Sequence, residues 1–161
     1  MSSGARANEG AIKAGALSGA RIVHIASHGL MAAHYQALAL SLNPRDPEDG
    51  FLMNSEISEL KLDADLVVLS ACETGNVRFR SAEPVSGLAL SLRSAGAKKV
   101  MLSLWSVDDR ATAQLMIDFY RPVAGSDSDY SKSLAEAKRK MLNSAKWRHP
   151  FYWSAFVLHG G

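Results

Sequence analysis

The amino-acid sequence predicts an α/β sandwich with a mostly parallel central sheet, about four main strands and a small hairpin. Three observations carry this. Apolar runs at residues 21–26, 65–71 and 98–104 lack polar alternation, the pattern of strands covered on both faces. Helix-like segments alternate with these runs, so parallel pairing through right-handed crossovers is the expected topology. Finally, His28-Gly29 and Cys72 stand at the tails of two of the runs. Open parallel sheets bind ligands at the carboxyl ends of their strands. If these two strands are parallel neighbours, an imidazole and a thiol meet on one rim.

In chain order, residues 8–17 read as a helix with Ile12, Ala16 and Leu17 apolar, ended by Gly19. The first strand spans residues 21–26. Ser27-His28-Gly29 turns the chain over the strand end, and residues 30–35 read as loop. Residues 36–42 are extended. Asn43, Pro44, Pro47 and Gly50 mark a turn, so 51–53 pairs back as a hairpin. Asn54 is placed to cap a short helix through Leu60. The central strand at 65–71 is followed by a polar loop, 73–83. Pro84 suits the first turn of a helix that runs to about Ser94 and is closed by Gly96. After the strand at 98–104, Asp108 caps a helix over 109–121 whose apolar face reads as Ala113, Met116, Ile117 and Tyr120. Residues 122–129 are a break. A last helix over 130–144 turns Leu134, Ala137, Met141 and Leu142 inward, and a final strand covers 152–158.

The 161 residues fit one domain, 1–161, long enough for a sizeable core. A formal net charge of +2 is too small to argue for nucleic acid. The cluster Lys138-Arg139-Lys140 reads as a solvated helix face. A single cysteine excludes an internal disulfide and a cysteine-built zinc site, and it fits a reducing, cytoplasmic setting. The sequence holds no apolar run near the ~20 residues that span a bilayer, and residues 1–6 lack a signal-peptide core. There is no phosphate-binding glycine loop, and Ser86-Gly87 lacks the nucleophile-elbow pattern. Neither a cofactor nor a metal is expected.

Each candidate residue has a plain alternative. Cys72 by position alone reads as a buried, inert thiol. A histidine at a matching strand end gives it a base, and a thiolate paired with a base is a nucleophile. The amide of Gly29, free of Cβ hindrance, can then donate to an oxyanion. His24 in mid-strand reads as a packed, hydrogen-bonded histidine. His34, His149 and His159 have no nameable partner. Asp108 and Asp109 read first as a cap and a helix-dipole partner, and alternatively as carboxylates lining a pocket for a basic side chain. Glu73 either raises the thiol pKa or bonds within its own turn. Trp105 and Trp153 read as core or cleft-wall packing.

Four blocks then resemble a known family: Val23-His24-Ile25-Ala26-Ser27-His28-Gly29; Leu66-Val67-Val68-Leu69-Ser70-Ala71-Cys72-Glu73-Thr74-Gly75; the stretch from Ala95 to Asp109; and the stretch from His149 to Leu158. In that order they resemble the CHAT family, caspase- and separase-like domains common in bacteria and often fused to tetratricopeptide repeats. The resemblance implies a caspase-like αβα sandwich and a cysteine endopeptidase acting on a protein or peptide substrate. Cys72 takes the place of the family's nucleophile and His28 that of its base. The amides of Gly29 and Cys72 become the oxyanion donors, and Asp108 or Asp109 a substrate-pocket residue. It also implies control by an attached repeat or sensor partner. Ser27 replaces the threonine more usual before the His-Gly pair. The family's N-terminal strand-helix-strand segment is expected to be lacking, which would leave an exposed sheet edge suited to self-association. The alternative is a caspase-like interaction module without turnover.

Overall fold

Residues 7–31, 36–70, 72–73, 83–123 and 129–160 are described by a computed structural model, with 31, 72–73 and 83–86 described in their backbone. The elements in chain order are α1 (Glu9–Lys13), β1 (Ile22–Ile25), β2 (His28–Met31), β3 (Gln36–Ala39), β4 (Phe51–Met53), α2 (Asn54–Glu59), β5 (Leu66–Leu69), β6 (Cys72–Glu73), α3 (Glu83–Ser94), β7 (Val100–Ser103), α4 (Asp109–Tyr120), α5 (Tyr130–Leu142) and β8 (Phe156–His159). They gather into two compact units, Met1–Leu102 with His159–Gly161, and Ser103–Leu158.

The first unit is mixed α/β, as expected, and its main sheet follows the apolar runs. β5 lies between β1 and β7, parallel to both. All four β5 side chains are buried, with Leu66, Val67 and Val68 fully inaccessible. That is the reason for an unbroken apolar run: a strand covered on both faces has no solvent side to mark with a polar residue. Among the described residues β1 is an edge of this sheet. After α3 the chain turns at Gly96, whose φ of +110° suits a residue without Cβ. A Cβ there would stand 1.8 Å from the Leu62 carbonyl oxygen.

A second sheet has the order β4-β3-β2-β6. The hairpin of β3 and β4 forms as predicted, with Ala37 opposite Met53 and Ala39 opposite Phe51. Two expectations are corrected here. Residues 28–31 are strand β2, antiparallel to β3, where turn and loop were expected. Cys72-Glu73 is strand β6, parallel to β2. Both pieces are too short and too polar to carry a strand pattern of their own. Long-range pairing makes them strands. The predicted segments at 32–35, 74–82 and 124–128, with Gly75 and His34, lie outside the described residues.

Smaller corrections have local causes. α1 stops at Lys13, because Gly15 takes φ +91° and its amide closes onto the Ile12 carbonyl at 2.9 Å. Asn54 does not cap α2. Its amide nitrogen donates to Gln36 Oε1 at 2.9 Å, while Glu56 accepts from the Met53 amide at 2.8 Å. α1, the loop before β4 and α2 are joined by a charge cluster. Lys13 Nζ lies 2.7 Å from Glu9, 2.5 Å from Glu48 and 2.6 Å from Glu56. Glu9 is buried, and its second oxygen accepts from the Gly50 amide at 2.9 Å. The three carboxylates thus enclose an ammonium.

In the second unit α4 packs on α5. The buried face of α4 is Ala111, Leu115, Met116, Asp118 and Phe119. Of the predicted face only Met116 is buried, and Ile117 is 55% exposed. The buried Asp118 displaced the reading, since a carboxylate inside breaks the apolar period. It accepts from Gln114 at 2.9 Å and from Lys140 at 3.1 Å, with Arg121 3.4 Å away. Burial pushes its carboxyl upward, but these donors outweigh burial and hold it below the usual aspartate range. On α5, Leu134, Ala137 and Met141 are buried as predicted, whereas Leu142 is exposed. Lys140 of the basic cluster is spent on Asp118. The final strand begins at Phe156, after a 3-10 turn at Pro150–Tyr152. No helix among the described residues is long and apolar enough to cross a membrane.

Candidate active site

The site is built where β1 and β5 stop. Their parallel ladder runs from Ile22 opposite Leu66 to Ile25 opposite Leu69. The ladder then breaks at Ala26-Ser27 on one strand and at Ser70 on the other. They pair again as β2 and β6, with His28 opposite Cys72 and Gly29 opposite Glu73. The offset between partners is the same before and after the gap. The two strands therefore pass together, without a slip, from one sheet into the other. Register partners in a ladder share a face, since side chains alternate with period two. The chain thus brings His28 and Cys72, distant in sequence, to adjacent positions. They open the second sheet rather than end the first, a refinement of the expected strand-tail placement.

His28 is exposed. Gly29 is buried between Leu38 of β3 and Glu73 of β6. An interior ladder position normally commits an amide to a neighbouring carbonyl. An oxyanion role for Gly29 therefore requires that its N–H be one the ladder leaves free.

Two polar ties hold the gap. His24 Nε2 lies 2.9 Å from Ser70 Oγ. On the other flank Ser27 Oγ donates to the Ala39 carbonyl. The prediction that His24 is hydrogen-bonded holds, although the residue as a whole is exposed rather than packed. Loss of water around its ring pulls the imidazole pKa below its ordinary value, which favours the neutral form.

A family model described as the CHAT domain matches residues 1–161. The chain belongs to the CHAT family. This is a caspase-like peptidase family. Within curated proteins this CHAT domain is similar to mouse tetratricopeptide repeat protein 28, 31% identical over 109 residues. It is also similar to the human protein of the same name, 30% identical over 109 residues. Each alignment covers 68% of this chain and 4% of the relative, so the chain spans a small part of these proteins.

The remaining predicted residues of the CHAT domain fall as follows. Asp108 and Asp109 begin α4 in the second unit, and both are exposed. The Asp108 carboxylate accepts from the amides of Arg110 and Ala111, each at 3.0 Å. The capping reading is therefore met. Asp108→Ala is expected to cost about 1 kcal/mol, read as a fall in thermal midpoint. His149 caps the 3-10 turn, its Nδ1 accepting from the Phe151 amide at 3.3 Å. Trp105 donates to the Phe151 carbonyl at 3.0 Å and stacks on its ring, and Trp153 donates to the Arg148 carbonyl at 3.3 Å. Sequence reading missed Ser70 and the use made of Ser27. A short polar residue after a buried strand marks only an end. Its partner, His24, is far away in sequence.

Proposed function

We propose that this CHAT domain is a cysteine endopeptidase. The observation that carries the proposal is the register that sets His28 beside Cys72 at the start of β2 and β6. In this reading His28 takes the proton of the Cys72 thiol, and the thiolate adds to the scissile carbonyl carbon. The amides of Gly29 and Cys72 donate to the oxyanion. Collapse breaks the C–N bond, and His28 returns the proton to the leaving amine. Water then attacks the thioester, His28 accepting its proton, and releases the acid with the thiol restored. The substrate is a protein or peptide. Control by a tetratricopeptide repeat, in the same chain or a partner, accords with the relatives named above.

Cys72 is the chain's only cysteine, so thiol chemistry reports on it alone. A free thiol with pKa about 8.5 is roughly 1% thiolate at pH 6.5. Iodoacetamide is expected to modify Cys72 at that pH about tenfold or more faster than a free thiol, and His28→Ala is expected to remove the advantage. Free-thiol rates in both proteins would overturn the dyad. They would favour an interaction module that keeps the fold without turnover.

A further inference from the structure

We infer that His24 and Ser70 are positioning residues for the His28–Cys72 centre. They form a cross-strand clasp that keeps β1–β2 and β5–β6 in register across the gap between the sheets. The inference rests on the endopeptidase reading and extends it to two residues outside the dyad.

At Ala26-Ser27 the ladder holds no register of its own. The last recorded backbone bond before it runs from the Ser70 amide to the Ile25 carbonyl, at 3.1 Å. Pairing resumes only at His28 and Cys72. A slip of one residue across the gap would turn one member of the pair to the other face, because side chains alternate along a strand. A shift well short of that would still misplace a proton-transfer pair, and a 1 Å error can cost about a hundredfold in rate. The clasp spans this point. His24 is the ladder partner of Val68, so Ser70 is its diagonal neighbour on the same face, within reach of an imidazole. The 2.9 Å bond joins the strand that leads to the base with the strand that leads to the nucleophile. Ser70 is two residues from Cys72, and His24 four from His28. Ser27, bonded to Ala39, anchors the other side of the gap to β3. A neutral imidazole carries one donor and one acceptor nitrogen, so it serves the hydroxyl in either direction.

The bond joins exposed side chains, so its loss should act on geometry more than on global stability. The test is the iodoacetamide rate of Cys72 against pH in the full chain, with thermal midpoints in parallel. Ser70→Ala and His24→Ala are each expected to lower the rate at pH 6.5 about tenfold with the midpoint nearly unchanged. Ser70→Thr, which keeps the hydroxyl, should restore it. The double variant should be no slower than either single one, since the two act as one unit. Wild-type rates in Ser70→Ala, failure of Ser70→Thr to rescue, additive losses, or a large fall in midpoint would each overturn the clasp. If His28→Ala slows the thiol while Ser70→Ala does not, only this inference fails. If the wild-type thiol is no faster than a free thiol, the endopeptidase reading fails and takes the clasp with it.

Discussion

Cys72→Ala is expected to abolish peptide-bond cleavage by this chain while leaving it folded. The substitution removes one sulfur atom, and with it the only atom that forms a covalent bond to substrate in the proposed reaction. In hydrolases of this kind, removing the nucleophile costs about 10⁶-fold in kcat, equivalent to roughly 8 kcal/mol of barrier. His28→Ala should cost nearly as much, and the double variant little more, because nucleophile and base act as a unit. His28 is exposed at the start of β2, so its truncation leaves no buried cavity. The measurement is mass-spectrometric detection of new termini in a protein mixture incubated with the chain. Cleavage that persists unchanged in Cys72→Ala would sink the assignment. So would a variant that loses activity only because its thermal midpoint collapses.

The parts of this arrangement legible in the sequence were those written locally. Val67 and Val68 sit in an apolar run that can belong only to a covered strand, and β5 is buried at all four positions. Asp108 precedes a helical pattern and caps it. The hairpin of β3 and β4 is flanked by turn residues and forms in the expected place. What escaped was written in pairs. β2 and β6 have too few residues to show a period: β2 becomes a strand by pairing with β3 and β6, and β6 by continuing beside β2 a ladder begun upstream. The register pair His28–Cys72 therefore belongs to a second sheet rather than to the tail of the first. On α4, Ile117 fits the apolar period, but the buried position beside it belongs to Asp118. The donors that make Asp118 tolerable inside include Lys140 on another helix. Lys13 and its three glutamates, drawn from α1, a loop and α2, gave no sequence signal for the same reason.

Lys13→Met is expected to destabilise the fold by about 2–3 kcal/mol at pH 7 and to reverse the pH dependence contributed by its cluster. Burial pulls the Lys13 ammonium pKa down, but the bonds from Glu48, Glu56 and Glu9 more than offset this, so the lysine stays charged at every relevant pH. For Glu56, burial pushes the carboxyl up, while Lys13 and the Met53 amide hold it below its ordinary value. A carboxyl depressed in the folded state adds stability above its unfolded pKa and loses it as pH falls through the folded one. In the wild type, then, Glu56 supports the fold above the ordinary glutamate pKa, and that support is lost as pH falls through the lowered one. With methionine at position 13, three carboxylates face one another without their cation. Glu9, whose side chain is only 2% exposed, bears most of the cost; Glu48 and Glu56, at 31% and 30%, are partly relieved by water. The estimate is therefore set below the 3–5 kcal/mol of a fully buried broken pair. Protonation relieves the repulsion among them, so acidification should restore stability where it formerly removed it. Urea unfolding of both proteins at pH 7 and pH 5 gives the test: the deficit of Lys13→Met should shrink at the lower pH, and Glu9→Gln in the same chain should recover part of it at pH 7. A deficit under about 0.5 kcal/mol at pH 7, or one that widens on acidification, would show that the lysine does not neutralise this cluster.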